Sequence, residues 1–157
     1  MPSSELDPYP FPQAIFVNRE VEFGEVYLVN DHLISIPDAD RVQGERIFHK
    51  ERRVVIVQND RTNYTTFPTV LIAPLTSRTD TKRRHDIELF PEEEEAISKP
   101  VLVRLKLIQP ILRADLGDCL GVLSRSKQAE IMQAILEIFG VSNDGENGQE
   151  QVGGLTT

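Results

Sequence analysis

Short apolar runs that end at turn signals recur along this chain, and they predict a fold built mainly of strands. The clearest run is residues 54–57, four consecutive branched aliphatic side chains that Asn59 and Asp60 follow closely. β-Branched residues lose rotamer freedom in a helix, and so short a run before a turn favours a strand buried on both faces. We therefore predict a buried strand over residues 53–58.

Five more strands are predicted from alternation of polar and apolar positions or from enrichment in β-branched and aromatic residues. In the fourth of them, alternation places Arg104 and Lys106 on one face. In the second, Pro74 cannot donate a ladder hydrogen bond, so this strand is expected to lie at an edge or to bulge there. The five strands are predicted at residues 24–30, 69–76, 86–90, 101–107 and 118–123.

One helix is predicted after the last strand. Apolar residues recur at helical spacing through residues 126–139, with Ser124 as a candidate N-cap and Gly140 at the position of a C-terminal cap. Mostly sequential strands followed by one helix are typical of a mainly β fold (α+β). The predicted architecture is a small, partly open antiparallel barrel with a C-terminal helix at its open end.

The remaining stretches predict irregular structure. Residues 1–23 are acidic and contain four prolines, which fits an extended arm before a domain at residues 24–140. Residues 141–157 are rich in Gly, Asn and Gln, so a disordered tail is expected. The connection at residues 31–51 is long for a compact domain, and such connections are often functional. Loops are expected at residues 61–68, 77–84 and 92–95, the last of them a solvated acidic loop.

Length and composition narrow the class of protein. A chain of 157 residues fits one domain with a sizeable core. Its single cysteine, Cys119, excludes an intrachain disulfide and a cysteine-based zinc cluster, and it fits a reducing compartment. No apolar run approaches the roughly 18 residues of a membrane span, and residues 1–13 lack the pattern of a signal peptide. A cytoplasmic location is therefore expected.

The net charge of −8 disfavours nucleic acid as a partner at first sight. The distribution changes this picture, because both ends of the sequence are acidic and the body between them is closer to neutral. The basic residues of the body cluster at residues 41–53, 78–84 and 104–113. Such a body can present one positive face, although charge alone fits ordinary solvated loops better.

Residue chemistry alone leaves few candidate sites. The histidines form no nucleophile-triad pattern, and no glycine-rich phosphate loop is present. His85 and Glu88 would project from opposite faces of a strand, which disfavours a metal site there. What remains is Arg52 and Arg53 at a strand entry, whose planar guanidinium groups match phosphate oxygens. Most arginines at strand ends are solvated, so this pattern does not by itself distinguish a phosphate site from ordinary surface.

One motif of this chain is specific: Val-Val-Ile-Val-Gln-Asn-Asp at residues 54–60, with Thr76 downstream. Further segments accompany it: Gly24-Glu-Val-Tyr, Gly44-Glu45, residues 68–76, residues 85–89 and residues 116–124. Together they resemble the MazF/PemK family of bacterial toxin ribonucleases over residues 24–140; the first motif is the specific part, and the other segments are compatible with the family.

The resemblance implies an SH3-like barrel that forms a homodimer and cleaves single-stranded RNA at specific sequences, without a metal or other cofactor. Attack by the RNA's own 2′-hydroxyl would leave a cyclic phosphate and a free 5′-hydroxyl. By position, Arg52 and Thr76 match the family's catalytic arginine and threonine, which would stabilise developing charge and orient a phosphate oxygen. A cognate antitoxin protein is implied as a partner that folds onto the arginine-rich rim. RNA-binding roles are implied for Glu45, Lys50, Arg53, Ser77, Arg78 and His85.

The chain departs from the family pattern in three places. Arg53 stands where the family usually has proline, so Arg52 and Arg53 are alternative catalytic arginines, of which register favours Arg52. The connection before Arg52 is longer than usual, and residues 107–109 replace a polar segment of the family. The general base stays open, with His49 and His85 as candidates. Two other functions also stay open: a catalytically silent barrel that binds a protein, as a related toxin class binds DNA gyrase, and a general nucleic-acid-binding module.

Overall fold

One curved sheet of seven strands, with a helix packed against it, forms the fold in the computed structural model, which describes residues 20–39 and 41–141. The strands are β1 (Glu25–Asn30), β2 (Arg41–Val42), β3 (Glu45–Arg46), β4 (Glu51–Ile56), β5 (Thr69–Thr76), β6 (Ile87–Leu89), β7 (Val101–Val103), β8 (Gln109–Leu112) and β9 (Cys119–Val122). β2 and β3 form a separate hairpin. The helices are α1 (Asp60–Asn63) and α2 (Arg125–Ile138). The mainly β fold with a C-terminal helix is confirmed.

All strand pairs are antiparallel, and the main sheet has the order β6-β7-β5-β4-β1-β9, with β8 also paired to β5. β5 is long enough to pair with two strands along one side. It pairs with β8 through its first half and with β7 only at Leu75 and Thr76. Pro74 lies between these two pairings, opposite Val54 of β4. The missing N–H of the proline is therefore tolerated at the point where the partner of β5 changes.

The sheet buries apolar side chains on both faces. Val54 and Ile56 of β4 belong to a cluster on one face, whereas Val55 and Val57 belong to a cluster on the other. These four side chains are at most 9% exposed. The prediction of a strand buried on both faces is confirmed, because every second residue of a strand points the same way.

α2 covers the second of these clusters with Ile131 and Ala134. The predicted N-cap is confirmed: the Ser124 side chain accepts a hydrogen bond from the Lys127 amide. The predicted acidic loop at residues 92–95 is only partly solvated. Glu94 is 2% exposed, and its Oε1 accepts from the Ser124 amide at 2.6 Å. This carboxylate thus accepts a hydrogen bond from a backbone donor at the helix N-terminus. The sequence gives no sign of this role, because Glu94 stands among other acidic residues.

In the second half of the chain, one predicted strand boundary is wrong and one strand is missing from the prediction. The strand predicted over residues 101–107 ends at Val103, and a 3₁₀ turn over Leu105–Leu107 follows. The three residues of β7 are all buried. The alternation of polar and apolar residues that predicted a longer strand therefore falls in the segment after β7. β8 is absent from the predicted strands, because it contains Pro110, and proline usually ends a strand. Pro110 pairs with Leu71 on an outer strand, where the missing N–H costs little.

Other segments contain more regular structure than predicted. The stretch after residue 60 begins with α1, which the side chain of Asn59 caps by accepting from the Thr62 amide at 2.9 Å. The long connection between β1 and β4 contains the β2–β3 hairpin.

The predicted arm at residues 1–23 lies outside the described residues except for 20–23, of which Val21 is fully buried. The predicted tail lies outside them except for Val141. No helix in the described ranges has the length and apolar content needed to span a membrane.

Candidate active site

A cleft of about 330 Å³ opens where β4 begins and β5 ends. The connection between β1 and β4 forms one wall, and the connection between β5 and β6 forms another. Among the described residues, six basic side chains and two acidic ones line it. The cleft is therefore positive although the whole chain carries a net charge of −8. The basic residues are Arg52, Arg53, Arg78, Arg83, Lys99 and Arg104, and the acidic ones are Asp38 and Glu51.

A fully buried carboxylate, Asp31, lies beneath the entry of β4. Its Oδ1 accepts from Nε of Arg52 at 2.6 Å and from Nη2 of Arg46 at 2.8 Å, and its Oδ2 accepts from the His49 amide at 2.9 Å. Burial works to raise the pKa of Asp31, but the hydrogen bonds from Arg52 and His49 and the charges of Arg52 and Arg46 outweigh it, and the pKa is lowered. Asp31 is thus an ionised anchor for two guanidinium groups.

Arg52 is held at two of its three nitrogens. Nε donates to Asp31, and Nη1 donates to the Leu75 carbonyl at 3.0 Å. Within the described part of the chain, Nη2 has no hydrogen-bond partner. The side chain is 13% exposed and lines the cleft. Such an arginine is fixed in direction but keeps a charged donor available to an anion.

Thr76 lies next to Arg52 by strand register. β4 and β5 pair Val54 with Pro74, and the same register continued by two residues sets Arg52 opposite Thr76. Directly opposite residues project from the same face of a sheet. The Thr76 hydroxyl oxygen accepts from the Arg78 amide at 3.2 Å, which leaves the hydroxyl proton available for donation into the cleft. The predicted pair therefore meets at one end of one strand pairing.

Arg53 projects from the opposite face of β4. Its Nη2 donates to the Ser98 hydroxyl at 3.2 Å, and its Nε is buried without a partner in the residues that the structure describes. It lines the cleft but has no carboxylate beneath it comparable to Asp31. The two neighbouring arginines thus differ in support: one is held by a buried acid, the other by a serine hydroxyl.

The predicted site residues divide into two groups. Arg52, Thr76, Arg53, Ser77 and Arg78 all line the cleft. Glu45, Lys50 and His85 do not. Glu45 lies on the exposed β2–β3 hairpin, and Lys50 is exposed just before β4. His85 has a φ of 72°, and both its ring nitrogens are buried without a partner among the described residues. Of the two histidines considered as a general base, only His49 lines the cleft.

Sequence reasoning missed the groups that hold the cleft in shape. Arg104 donates to the Asp86 carboxylate and, at 3.1 Å, to the Thr81 carbonyl, so it braces the connection after β5. Across the cleft, Arg83 pairs with Asp38 of the β1–β4 connection. The hydrogen bond from Arg83 is the main reason that the pKa of Asp38 is lowered, although burial opposes it. Only their positions after folding identify these residues, since each is a loop residue far from its partner in sequence.

The most specific motif of the resemblance proves structural at its polar end. Oδ1 of Asp60 accepts from the Phe23 amide at 2.7 Å and from Nδ2 of Asn63 at 3.1 Å. The same Nδ2 donates to the Gln58 carbonyl at 2.8 Å. The buried Arg113 then donates to the Asn63 carbonyl at 2.6 Å. These residues close the far end of β4 and do not line the cleft.

Comparisons with known proteins agree with this arrangement. A family model described as PemK-like, MazF-like toxin of type II toxin–antitoxin systems matches residues 22–139. Comparison with curated protein sequences finds no match.

Solved structures with a similar fold include three that are toxins or toxin complexes by name. An endoribonuclease in complex with its cognate antitoxin, from a mycobacterial species, is 18% identical with a TM-score of 0.54, over 80% of this chain and 97% of that chain. A MazE–MazF complex from Deinococcus radiodurans is 15% identical with a TM-score of 0.56, over 80% and 100%. The Mycobacterium tuberculosis toxin MazF-mt6 is 22% identical with a TM-score of 0.52, over 59% and 90%. At these identities the similarity establishes the fold.

Proposed function

Because this chain belongs to the PemK-like, MazF-like toxins of type II toxin–antitoxin systems, we propose that it is an endoribonuclease that cleaves single-stranded RNA in the cleft between β4 and β5. The catalytic unit is residues 24–140. One observation carries the assignment of the site: Arg52 is held by a buried carboxylate and a backbone carbonyl, opposite Thr76, with one nitrogen left for an anion.

The proposed reaction uses the substrate's own nucleophile. The 2′-oxygen of the RNA forms a bond to the adjacent phosphorus as the bond from phosphorus to the 5′-oxygen of the next nucleotide breaks. The 2′-hydroxyl proton passes to a base, and the departing 5′-oxygen takes up a proton. The products are a 2′,3′-cyclic phosphate and a free 5′-hydroxyl. No metal ion is required, because the chain's own cations can neutralise the phosphorane.

Arg52 and Thr76 have distinct roles in this scheme. Nη2 of Arg52 donates to a non-bridging phosphate oxygen, on which negative charge increases in the transition state. The Thr76 hydroxyl donates to the same phosphate and fixes its orientation for in-line attack. Asp31 keeps Arg52 from rotating away, so no reorganisation is required when charge develops.

A guanidinium group is a poor base, so another group must accept the 2′-hydroxyl proton. His49 and Glu51 both line the cleft and carry atoms that can accept a proton. Asp38 also lines it, but its carboxylate is paired with Arg83. The proposal therefore restricts the base to His49 or Glu51 and leaves His85, which lies outside the cleft wall, without a catalytic role.

The test is a cleavage assay with purified protein, a long unstructured RNA and a chelator, in which the ends of the products are identified. Wild type is expected to produce cyclic phosphates and 5′-hydroxyls. Arg52→Ala is expected to lose about 10²- to 10³-fold in rate, the usual effect of removing one preorganised donor to a developing charge. Arg61→Ala is the matched control, since Arg61 is an exposed arginine beyond the far end of β4.

Two results would contradict the proposal in different ways. Equal cleavage by wild type and Arg52→Ala would remove the assigned site but keep the activity. RNA binding that weakens with salt, without cleavage by wild type, would instead favour the non-catalytic nucleic-acid-binding module.

A cognate antitoxin is the proposed protein partner, since the family is defined by type II toxin–antitoxin systems. An acidic antitoxin segment would compete with RNA for the positive cleft. We also propose a homodimer and a cytoplasmic location. Sedimentation of the purified chain tests the first, and fractionation of expressing cells tests the second. Inhibition of cleavage by the neighbouring gene's product, relieved by excess RNA, tests the competition.

A further inference from the structure

Two aromatic rings are stacked on the β1–β4 connection beside the cleft. The imidazole of His32 and the ring of Phe48 are 8° from parallel, with centroids 4.0 Å apart. The guanidinium carbon of Arg46 lies 4.4 Å from the centroid of the same Phe48 ring. Phe48 is 42% exposed and His32 is also exposed. This pair, the His32–Phe48 stack, therefore leaves ring surface open to solvent.

Residues at the end of β1 and directly after it hold both ends of the stack. Asn30 Oδ1 accepts from the His32 amide at 2.9 Å and contacts Nδ1 of the imidazole at 3.2 Å. Arg46 is anchored to Asp31. The rings are thus preorganised by the backbone and by a buried carboxylate, which lowers the entropic cost of binding a flat ligand.

The stack is adjacent to the proposed catalytic cleft. Ile47 and His49, the residues on either side of Phe48, both line the cleft. Consecutive Cα atoms are about 3.8 Å apart, so Phe48 begins within one residue of the cleft wall on both sides. Asp31 forms ion pairs with Arg46, which lies against Phe48, and with Arg52, the proposed catalytic arginine. Phe48 and His32 themselves do not line the cleft, so an RNA strand bound at Arg52 would reach the stack if it left the cleft on the side of the β1–β4 connection.

We propose that the His32–Phe48 stack is a base-stacking platform for a nucleotide next to the cleaved phosphodiester. Flat aromatic surfaces with a cation nearby are what unpaired bases stack on in proteins that bind single-stranded nucleic acid. Phe48 covers one face of the exposed imidazole, and the proposed base continues the stack on the other face. This inference rests on the proposed function, since it assumes an RNA strand in the cleft.

The platform predicts that RNA binding and the chemical step depend on different residues of the site. The rings contact a base and not the reacting phosphate, so their loss weakens binding of RNA and raises KM while kcat changes little. Stacking is tolerant of sequence, because every base has a flat face. Other contacts must therefore select the cleavage sequence, and the stack contributes affinity at one fixed position.

The test begins by mapping where wild type cleaves a long RNA. Short RNAs around that point are then made with a 2′-deoxy nucleotide at the cleaved position, so that they bind without reacting. Their bases are removed one position at a time. Affinities are measured for wild type, for Phe48→Leu, and for Phe139→Leu as a matched control, since Phe139 is 74% exposed at the end of α2.

For wild type and Phe139→Leu, we expect removal of one particular base to weaken binding by about 5- to 150-fold, the usual range for a single stacked base. For Phe48→Leu, removal of that base should weaken binding much less, because the imidazole that the base contacts has lost the ring that holds it in the stack. In addition, 2-aminopurine at that position should be quenched on binding to wild type and less quenched with Phe48→Leu. A merely structural role of Phe48 would not produce this dependence on one base.

Three outcomes would overturn the inference. Equal effects of base removal in wild type and Phe48→Leu would show that no base stacks there, while cleavage by wild type would leave the proposed function intact. Loss of antitoxin binding by Phe48→Leu with unchanged RNA binding would assign the stack to a protein partner. Absence of both cleavage and RNA binding in wild type would overturn the proposed function, and the platform with it.

Discussion

The two ends of β4 are built on the same principle but use it differently. At its entry, the buried Asp31 holds Arg52 and leaves one guanidinium nitrogen without a partner in the described part of the chain. Beyond its exit, the hydrogen bonds described above join backbone groups to the side chains of Asp60, Asn63 and Arg113, and join two of these side chains to each other. The entry therefore keeps a positioned charge for something outside the protein, whereas the exit closes a turn. Function is expected where a network is rigid yet incomplete.

The largest effect is expected from Asp31→Asn, which breaks the entry network at its centre. An amide cannot present two acceptor oxygens to Arg52, Arg46 and the His49 amide, and it leaves two cations without a counter-charge. Removal of one partner from a buried ion pair costs about 3–5 kcal/mol. We expect a loss of that order in the free energy of unfolding, and cleavage reduced about 100-fold or more in the protein that remains folded. Chemical denaturation and the cleavage assay measure the two quantities.

Asp60→Asn is the matched variant at the exit. The amide keeps an oxygen for the Phe23 amide, and no cation depends on the charge of Asp60 in the network described above. The free energy of unfolding should fall by less than about 1 kcal/mol, and the cleavage rate should be unchanged. If the two carboxylates proved equally important for cleavage, the contrast between the ends of β4 would be wrong.

The next effect is expected from Arg113→Met, which tests whether the exit is purely structural. The change leaves the carbonyls of Asn63 and Thr62 without their charged donor, at a cost of about 2 kcal/mol in the free energy of unfolding. Burial lowers the pKa of Arg113, so part of this loss is offset when the buried charge is removed. The cleavage rate per folded molecule should stay at the wild-type value. A reduced rate at full folding would show that the exit network also supports the cleft.

A smaller effect is expected from Thr76→Val, which sharpens the comparison within the entry. Valine keeps the shape of threonine but removes the hydroxyl that would orient the phosphate. Cleavage should fall by about 10-fold, the lower end of the loss expected for one hydrogen bond to a charged oxygen, which contributes roughly 1.5–3 kcal/mol. Stability should change little, because the Arg78 amide that loses its acceptor is exposed. Thr79→Val, a nearby exposed threonine outside the cleft wall, should cleave like wild type.

The smallest effect is expected from acid. The pKa of Asp31 is lowered from its ordinary value near 3.8. A lowered pKa means that the carboxylate stabilises the fold fully above that value and loses this contribution as the pH falls through the lowered one. Between about pH 5 and pH 3, wild type should therefore lose more free energy of unfolding than Asp31→Asn, by on the order of 1 kcal/mol. Parallel pH curves for the two proteins would contradict an ionised Asp31.

The sequence predicted the strands well where burial decides them. Residues 54–57 and 69–76 are apolar runs that favour a strand over a helix; β4 includes the first run up to Ile56, and β5 includes the whole of the second. Prediction failed where the same residue type occurs in two different structural settings. Pro110 ends a strand in most settings but is tolerated on an outer strand. Glu94 has the same sequence surroundings as its acidic neighbours, yet it alone is buried against a helix N-terminus.

The site was predictable only in part, for a related reason. The family motif pointed to Arg52 and Thr76 as candidates, and the register of β4 and β5 places them at the same end of the two strands, on the cleft wall. Asp31 could not be identified from local pattern, because an aspartate after a strand is also an ordinary turn residue. A signal was nonetheless present: an acidic residue that follows a buried strand, in a chain with arginines at the entry of the next strand, has ready partners. The Asp38–Arg83 pair joins two loops, and no local sequence pattern indicates that these residues are partners.

One oxygen atom, Oδ1 of Asp31, serves both the strand and the hairpin, since it accepts from Arg52 of β4 and from Arg46 of β3. A ligand that moved the hairpin and broke the bond from Arg46 would leave this oxygen to Arg52 alone. If that changed the affinity of Arg52 for phosphate, a bound phosphate would change the ligand's affinity by the same factor. The shared acceptor is thus the point at which a contact outside the cleft would act on the group inside it.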